Sequence, residues 1–300
     1  MEKESTTFEN WSETAEYYAE NLEKTSLSAG LTLSRMIRLD KARNILEVGC
    51  GAGMLSLHWL KTLPAGAKYT SIDLSEQMIK IAQRRKEEQK HQLNNIEHEF
   101  KVADAHDLSF VPDQTIDAYI APLVYCHVAN PSKAFSEAMR ILKKGGRLGV
   151  SMSVPQNNTL QAFLRSCMKK LKNEGGHHHH GHGHDHSHGH DHGHGHDHDQ
   201  DHKKHHHHAI NGKDHLIQLA QEAGFEIDYC WDQDTVCDIL DVKDVENLVN
   251  VPGMHEMFKN LSEEEKQKFT EVLKAEFAEF KKTQTPLKYN ALLLTARKPE

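Results

Sequence analysis

The segment Ile45-Leu46-Glu47-Val48-Gly49-Cys50-Gly51-Ala52-Gly53 leaves an apolar run and enters a helical pattern through a turn with glycine at alternate positions. Glycines there let backbone pass close to a bound ligand with no Cβ in the way. A dinucleotide fingerprint, G-x-G-x-x-G, would place its third glycine at position 54, where Met54 stands. Glu47, two residues before the first glycine, is equally informative, because a carboxylate beside a pyrophosphate is electrostatically unfavourable. It suits a ligand with positive charge, such as a sulfonium carrying an α-amino group. Asp73 follows 24 residues after Gly49, near the roughly 20-residue spacing at which an acid meets ribose hydroxyls. Asp104 and Ala105 end a third apolar run, where a carboxylate or a backbone group can meet an adenine amino group.

These residues share one site only if they stand at the tips of neighbouring strands, and the pattern supplies such strands. Short β-like runs at 44–48, 68–73, 98–103, 116–121 and 147–153 alternate with helical stretches, the one after Asp73 opening at Ser75 as its N-cap. A sixth run at 225–231, preceded by a helix that Gly224 stops, and a last run at 289–296 complete the series. The alternation predicts an α/β fold, a mostly parallel sheet with helices on both faces and a crevice at its carboxyl edge. Residues 1–300 read as one domain with its core at 44–153, a helical segment at 1–43 and an insertion at 175–208. Phe8, Trp11, Ala15, Tyr18 and Leu22 predict an N-terminal helix. The stretch 242–282 holds helices around a Pro252-Gly253 turn, with Ser262 and Glu265 spaced as a capping box. Its apolar stripe, Phe269, Val272, Leu273, Phe277 and Phe280, serves either a helix packed on the sheet or a cap over a substrate pocket.

Four motifs in order, ILEVGCGAG (45–53), SIDLSEQMI (71–79), VADAHDLSF (102–110) and AMRILKKGGRL (138–148), resemble the class I S-adenosylmethionine-dependent methyltransferases. Within them the chain resembles the small-molecule group that includes the ubiquinone/menaquinone-biosynthesis enzymes, the type 11 methyltransferases. The likeness runs from Asn44 to about Ser153, with a weaker echo in ALLLTARKP (291–299). It implies a Rossmann-like sheet of seven strands with the last antiparallel. It also implies S-adenosylmethionine as cofactor, with Glu47, Gly49 and Gly51 at its methionine part, Asp73 at the ribose, Met78 on the adenine face and Asp104-Ala105 at the adenine edge. Pro122, at the tip of the fourth strand, is counted among the cofactor-binding residues.

Methyl transfer from a sulfonium is an in-line displacement, so the protein chiefly positions the reactants, and a base is needed only where the acceptor must lose a proton. His127, just past the fourth strand, is the one weak catalytic candidate, and its duller reading is structural. Methyltransferases acting on base or glutamine amino groups show Asp or Asn, Pro-Pro and an aromatic at that tip. This chain has Ala121-Pro122-Leu123 and shows no basic stripe. A small organic acceptor is the expectation, with no nucleic-acid partner. The chain has 37% hydrophobic residues, enough for a sizeable core, yet no apolar run long enough to span a membrane. It opens MEKESTTFENW, without a signal or transit pattern, so a cytoplasmic setting is expected.

The segment 175–208 carries 18 of the chain's 25 histidines and no apolar residue, so it is expected to be disordered. Runs such as His177, His178, His179, His180 and His205, His206, His207, His208 offer many interchangeable imidazoles for Zn, Ni or Cu, without the few fixed ligands of a structural site. A tolerated repeat expansion explains them as well. The rival to an enzyme is a non-catalytic S-adenosylmethionine-binding protein whose histidine-rich loop sequesters or senses metal.

Overall fold

A computed structural model describes residues 11–12, 14–154, 158–174, 209–237 and 261–300, and for 172–174 the backbone alone. The strands are β1 (Asn44–Val48), β2 (Lys68–Asp73), β3 (Glu97–Val102), β4 (Ile116–Ala121), β5 (Leu142–Ser153), β6 (Glu226–Val236) and β7 (Lys288–Arg297). They form one seven-stranded sheet in the order β3-β2-β1-β4-β5-β7-β6. β1 to β5 pair in parallel, and β7 runs antiparallel to both β5 and β6. This is the Rossmann-like arrangement, and the order turns outward in both directions from β1 and β4, which puts a crevice at their carboxyl ends.

The central strands β1, β4 and β7 are buried on both faces, while the edge strands β3 and β6 stay half exposed. Leu46 and Val48 join a cluster with Tyr119, Leu148 and Val150 under α5 (Pro131–Ile141) and α7 (Gly212–Glu222). Ile45, Tyr69, Ala118 and Ile120 face the opposite way, under α2 (Leu27–Met36) and α3 (Met54–Thr62). Glu47 has the parity of Ile45 and so lies on the α3 side. Ser75 caps α4 (Glu76–Glu88) by accepting the Met78 N–H, and Gly224 follows α7 with a φ of +99°.

The structure departs from the sequence pattern at several ends. β5 begins five residues before the run expected at 147–153, and Lys144-Gly145-Gly146 is an irregularity inside it, where the register with β4 jumps from Ile116↔Leu142 to Ala118↔Arg147. α5 begins at Pro131, since Asn130 caps it and Pro131 fills its first turn. β6 extends five residues past Trp231, because β7 offers partners as far as Lys288. α2 lies within the helical segment expected at 1–43. Of the N-terminal helix the described part is α1 (Ala15–Asn21), and Phe8 lies outside the described residues.

The capping box at Ser262 is formed and opens α8 (Glu263–Lys282). The stripe of α8 does not meet the sheet face. Phe269, Leu273 and Phe277 pack with Phe163, Cys167 and Leu287, and so against α6 (Thr159–Glu174). This helix pair is reached from the carboxyl end of β5 and returns to the start of β7, both on the crevice edge. The Pro252-Gly253 turn and the histidine-rich segment lie outside the described residues.

Candidate functional site

The glycine loop at the tip of β1 takes the left-handed backbone that its composition suggests, with φ of +67°, +55° and +85° at Gly49, Gly51 and Gly53. Two of these positions are also closed by packing. A Cβ at Gly49 would stand 2.3 Å from Val124 Cγ2 in the loop after β4, and one at Gly53 would stand 2.8 Å from Ala82 Cβ of α4. Gly51 instead faces the cleft, where the nearest atom to a Cβ would be the Tyr18 ring at 3.5 Å. The cleft is lined by Tyr18, Glu23, Ser26, Glu47, Gly49, Cys50, Gly51, Leu55 and Pro122.

Glu47 is only 1% exposed, and its carboxylate accepts from Ser56 Oγ and Tyr69 Oη, each at 2.5 Å. Burial pushes its carboxyl up to about 7, against the pull of these hydroxyls and that of Ser71. Asp73, at the tip of β2, accepts the Gly51 N–H and the Ser75 N–H, both at 2.9 Å. It therefore ties the glycine loop to the start of α4. Burial raises its carboxyl, and the two backbone donors oppose the rise.

The N-terminal segment supplies the facing wall, which sequence reasoning missed. Glu23 accepts the Met54 N–H at 2.9 Å and pairs with Arg85 Nη1 at 2.6 Å, while being 4% exposed. Its carboxylate therefore sits on the first turn of α3, the place where a helix N-terminus would otherwise hold a pyrophosphate. Arg85 also donates to Ala52 O and Ala19 O, clamping the segment to the glycine loop. No periodicity marks Glu23, because it lies in a single 3-10 turn, Glu23–Ser26.

Trp11 joins this wall to the loop after β4, with its ring edge-on to Tyr18 and to His127 at 5.2 Å each. The neighbouring Cys126, against burial, raises the His127 imidazole, and Asp73 adds to the rise. Met78, expected on the adenine face, is buried behind the tip of β2. It is 2% exposed and packs with Ala15, Ala52 and Ile81. The apolar surface at that tip belongs to Leu74 and Val102, 48% and 46% exposed, with Val102 in register with Asp73. Asp104 accepts the His106 N–H and lies 2.7 Å from His106 Nδ1, so its turn is locally fixed, and Ala105 is buried beside it. Pro122 lines the cleft. Among the described residues no three His, Cys, Asp or Glu side chains are grouped to hold a metal ion, and no helix is long and apolar enough to cross a membrane.

Residues 46–150 match the family described as "Methyltransferase domain". The chain is similar to ubiquinone biosynthesis O-methyltransferases from Xanthomonas oryzae pv. oryzae, 30% identical over 47% of this chain and 57% of the relative. Those from Xylella fastidiosa are 33% identical over 44% and 49%. The chain thus spans about half the length of the curated relatives it matches. The fold is also that of phosphoethanolamine N-methyltransferase 2 of Haemonchus contortus in complex with S-adenosyl-L-methionine (TM-score 0.52, 15% identity, 100% of this chain and 59% of that one). A putative sarcosine dimethylglycine methyltransferase from Galdieria sulphuraria gives a TM-score of 0.51 at 13% identity, over 92% and 88%. The match over 46–150 falls on the strands and loop that build the cleft, so this part of the chain is similar to a methyltransferase domain, on a Rossmann-like fold.

Proposed function

We propose that the protein is an S-adenosylmethionine-dependent methyltransferase acting on a small organic acceptor. One observation carries this reading. Two carboxylates on adjacent strand tips, Glu47 and Asp73, flank the glycine loop, among the described residues no Lys or Arg lines the cleft, and Arg85 behind its facing wall is already engaged by Glu23. A ligand with a cationic end and ribose hydroxyls suits that wall, and one with a pyrophosphate does not. The exposed Leu74 and Val102 offer an apolar face for its adenine, and Asp104 and Ala105 stand at its edge.

S-adenosylmethionine supplies an electrophilic methyl group when bound. Glu47 faces the charge of the methionine end, with Gly49 and Gly51 admitting it close to backbone. Asp73 accepts from the ribose hydroxyls with its remaining lone pairs. Tyr18 and Trp11 exclude water from the cleft, which favours a displacement that needs alignment more than acid–base chemistry. Where the acceptor must lose a proton, His127 in the loop after β4 is the candidate base. The ubiquinone-biosynthesis relatives carry O-methyltransferase in their names, which puts hydroxyl acceptors first in a screen. Calorimetry tests the reading. Wild-type protein binds S-adenosylmethionine, and Asp73→Ala weakens binding about a hundredfold through the loss of charge-assisted hydrogen bonds. Equal affinity in the two proteins, or no binding in either, overturns it. Labelled donor with a panel of phenols, alcohols and amines then identifies the acceptor.

A further inference from the structure

A buried polar line crosses three strands, from the cleft to the sheet's outer strand. Glu47 on β1 is in register with Ser71 on β2, and Ser71 Oγ lies 3.1 Å from His98 Nε2 on β3. Ser71 also bonds the Glu47 carboxylate, beside Ser56 and Tyr69. A hydroxyl has one proton to give. If Ser71 gives it to Glu47, it must accept at His98, so Nε2 bears the hydrogen and Nδ1 is bare. Nδ1 is the ring nitrogen that is buried with no partner, and a bare lone pair costs less to bury there than an N–H. The ring is seated between Tyr69 and Phe100, at 4.9 and 4.5 Å. Burial, with Lys86 nearby, holds His98 down at about 3, so it stays neutral.

The line leaves Glu47 with neutral donors only. Among the described residues no Lys or Arg acts on it, and the charged group that does is another acid, Glu23 of the facing wall. The Cys50 thiol feels the Glu47 charge and is itself held protonated by burial. The β4 neighbour in register is Ile120, which does not titrate. A carboxyl so placed keeps its proton until a counter-charge arrives.

We propose, resting on the reading of the cleft as a donor site, that Ser71 and His98 are positioning residues that tune the protonation of Glu47. Capture of the cationic donor then expels one proton from Glu47 to solvent, and affinity for the donor rises with pH. The balance is simple: neutral Glu47 and cationic donor become an ion pair and a released proton.

Titration calorimetry with S-adenosylmethionine between pH 5.5 and 8.5, in buffers of different ionisation enthalpy, reads both effects. Wild-type protein releases a proton near neutral pH, and its Kd weakens about tenfold per pH unit below the Glu47 midpoint. Glu47→Gln abolishes that component, which separates it from the protons of Asp73 and of the donor's amine. Ser71→Ala, the smallest change in packing, and His98→Ala weaken binding about three- to tenfold at pH 6.5 and little at pH 8.5, while His98→Gln, retaining an N–H, restores the wild-type profile. Thermal unfolding confirms that each variant is folded. Proton release unchanged in Glu47→Gln overturns the proposal, and so does Ser71→Ala or His98→Ala weakening binding equally at both pH values. Wild-type protein that binds no donor at any pH defeats the donor-site reading itself, a different result from these.

Discussion

Two acids bound the same cleft and are held in opposite ways. Glu23, on the N-terminal segment, has a cation, Arg85, and a helix N–H. Glu47, on the central sheet, has three hydroxyls and no cation. Both carboxyls are raised by burial, yet only the first is internally neutralised. A charge matched by a neighbour is fixed and serves the architecture, here by fastening the N-terminal segment to the glycine loop. A charge matched only by dipoles is available to a ligand. The family match begins at residue 46, so the fixed acid lies outside it and the available one inside.

The contrast breaks most visibly at Arg85. Arg85→Met leaves Glu23 buried without its cation, and the protein should lose about 3–5 kcal/mol of stability, read by urea unfolding. Arg85→Met with Glu23→Gln should recover most of that loss. A single variant as stable as wild type would make the clamp incidental.

Glu47 should behave in the other sense. Its carboxyl binds a proton more tightly folded than unfolded, so its protonated form favours the fold at low pH. That contribution is lost as pH rises from 4.5, the unfolded value, through about 7. Glu47→Gln has no such loss. Its stability relative to wild type should climb across this window by roughly 3 kcal/mol, measured as unfolding free energy against pH. A flat difference would mean that Glu47 is solvated or paired.

His127, whose ring meets Trp11 beside the cleft, is a third titratable group, with its imidazole raised by Cys126 and Asp73. A base must be deprotonated, so turnover of a hydroxyl acceptor should increase with pH through the raised His127 value. His127→Ala should then lower kcat about a hundredfold and flatten that limb. A change in KM alone would assign it to packing against Trp11. The smallest effect concerns the cap beside Asp73: Ser75→Ala should cost about 1 kcal/mol in thermal unfolding, with donor affinity nearly unchanged.

Much of the central sheet was legible because its strands are short, apolar and punctuated. β1, β2 and β4 fall where the pattern places them, and Ser75 caps the helix it was read to cap. Ends set by partners were not legible. The length of β6 depends on β7, and the irregularity in β5 depends on the register with β4. Met78 shows the same limit in the site: its apolar type suits either a ligand face or a core, and its packing with Ala15, Ala52 and Ile81 is visible only in the structure.

Spacing along the chain was enough to select Glu47, Gly49, Gly51 and Asp73, because consecutive strands of a parallel sheet bring their tips to one edge. It also argued for a cationic ligand, since a carboxylate in that turn repels phosphate whatever surrounds it. Only the tertiary structure decided which charges are compensated. Glu23 lies 62 residues from Arg85, and Ser71 lies 27 from His98. Hydrogen bonds and ion pairs at such separations leave no periodic trace in sequence, because they are set by where the chain returns.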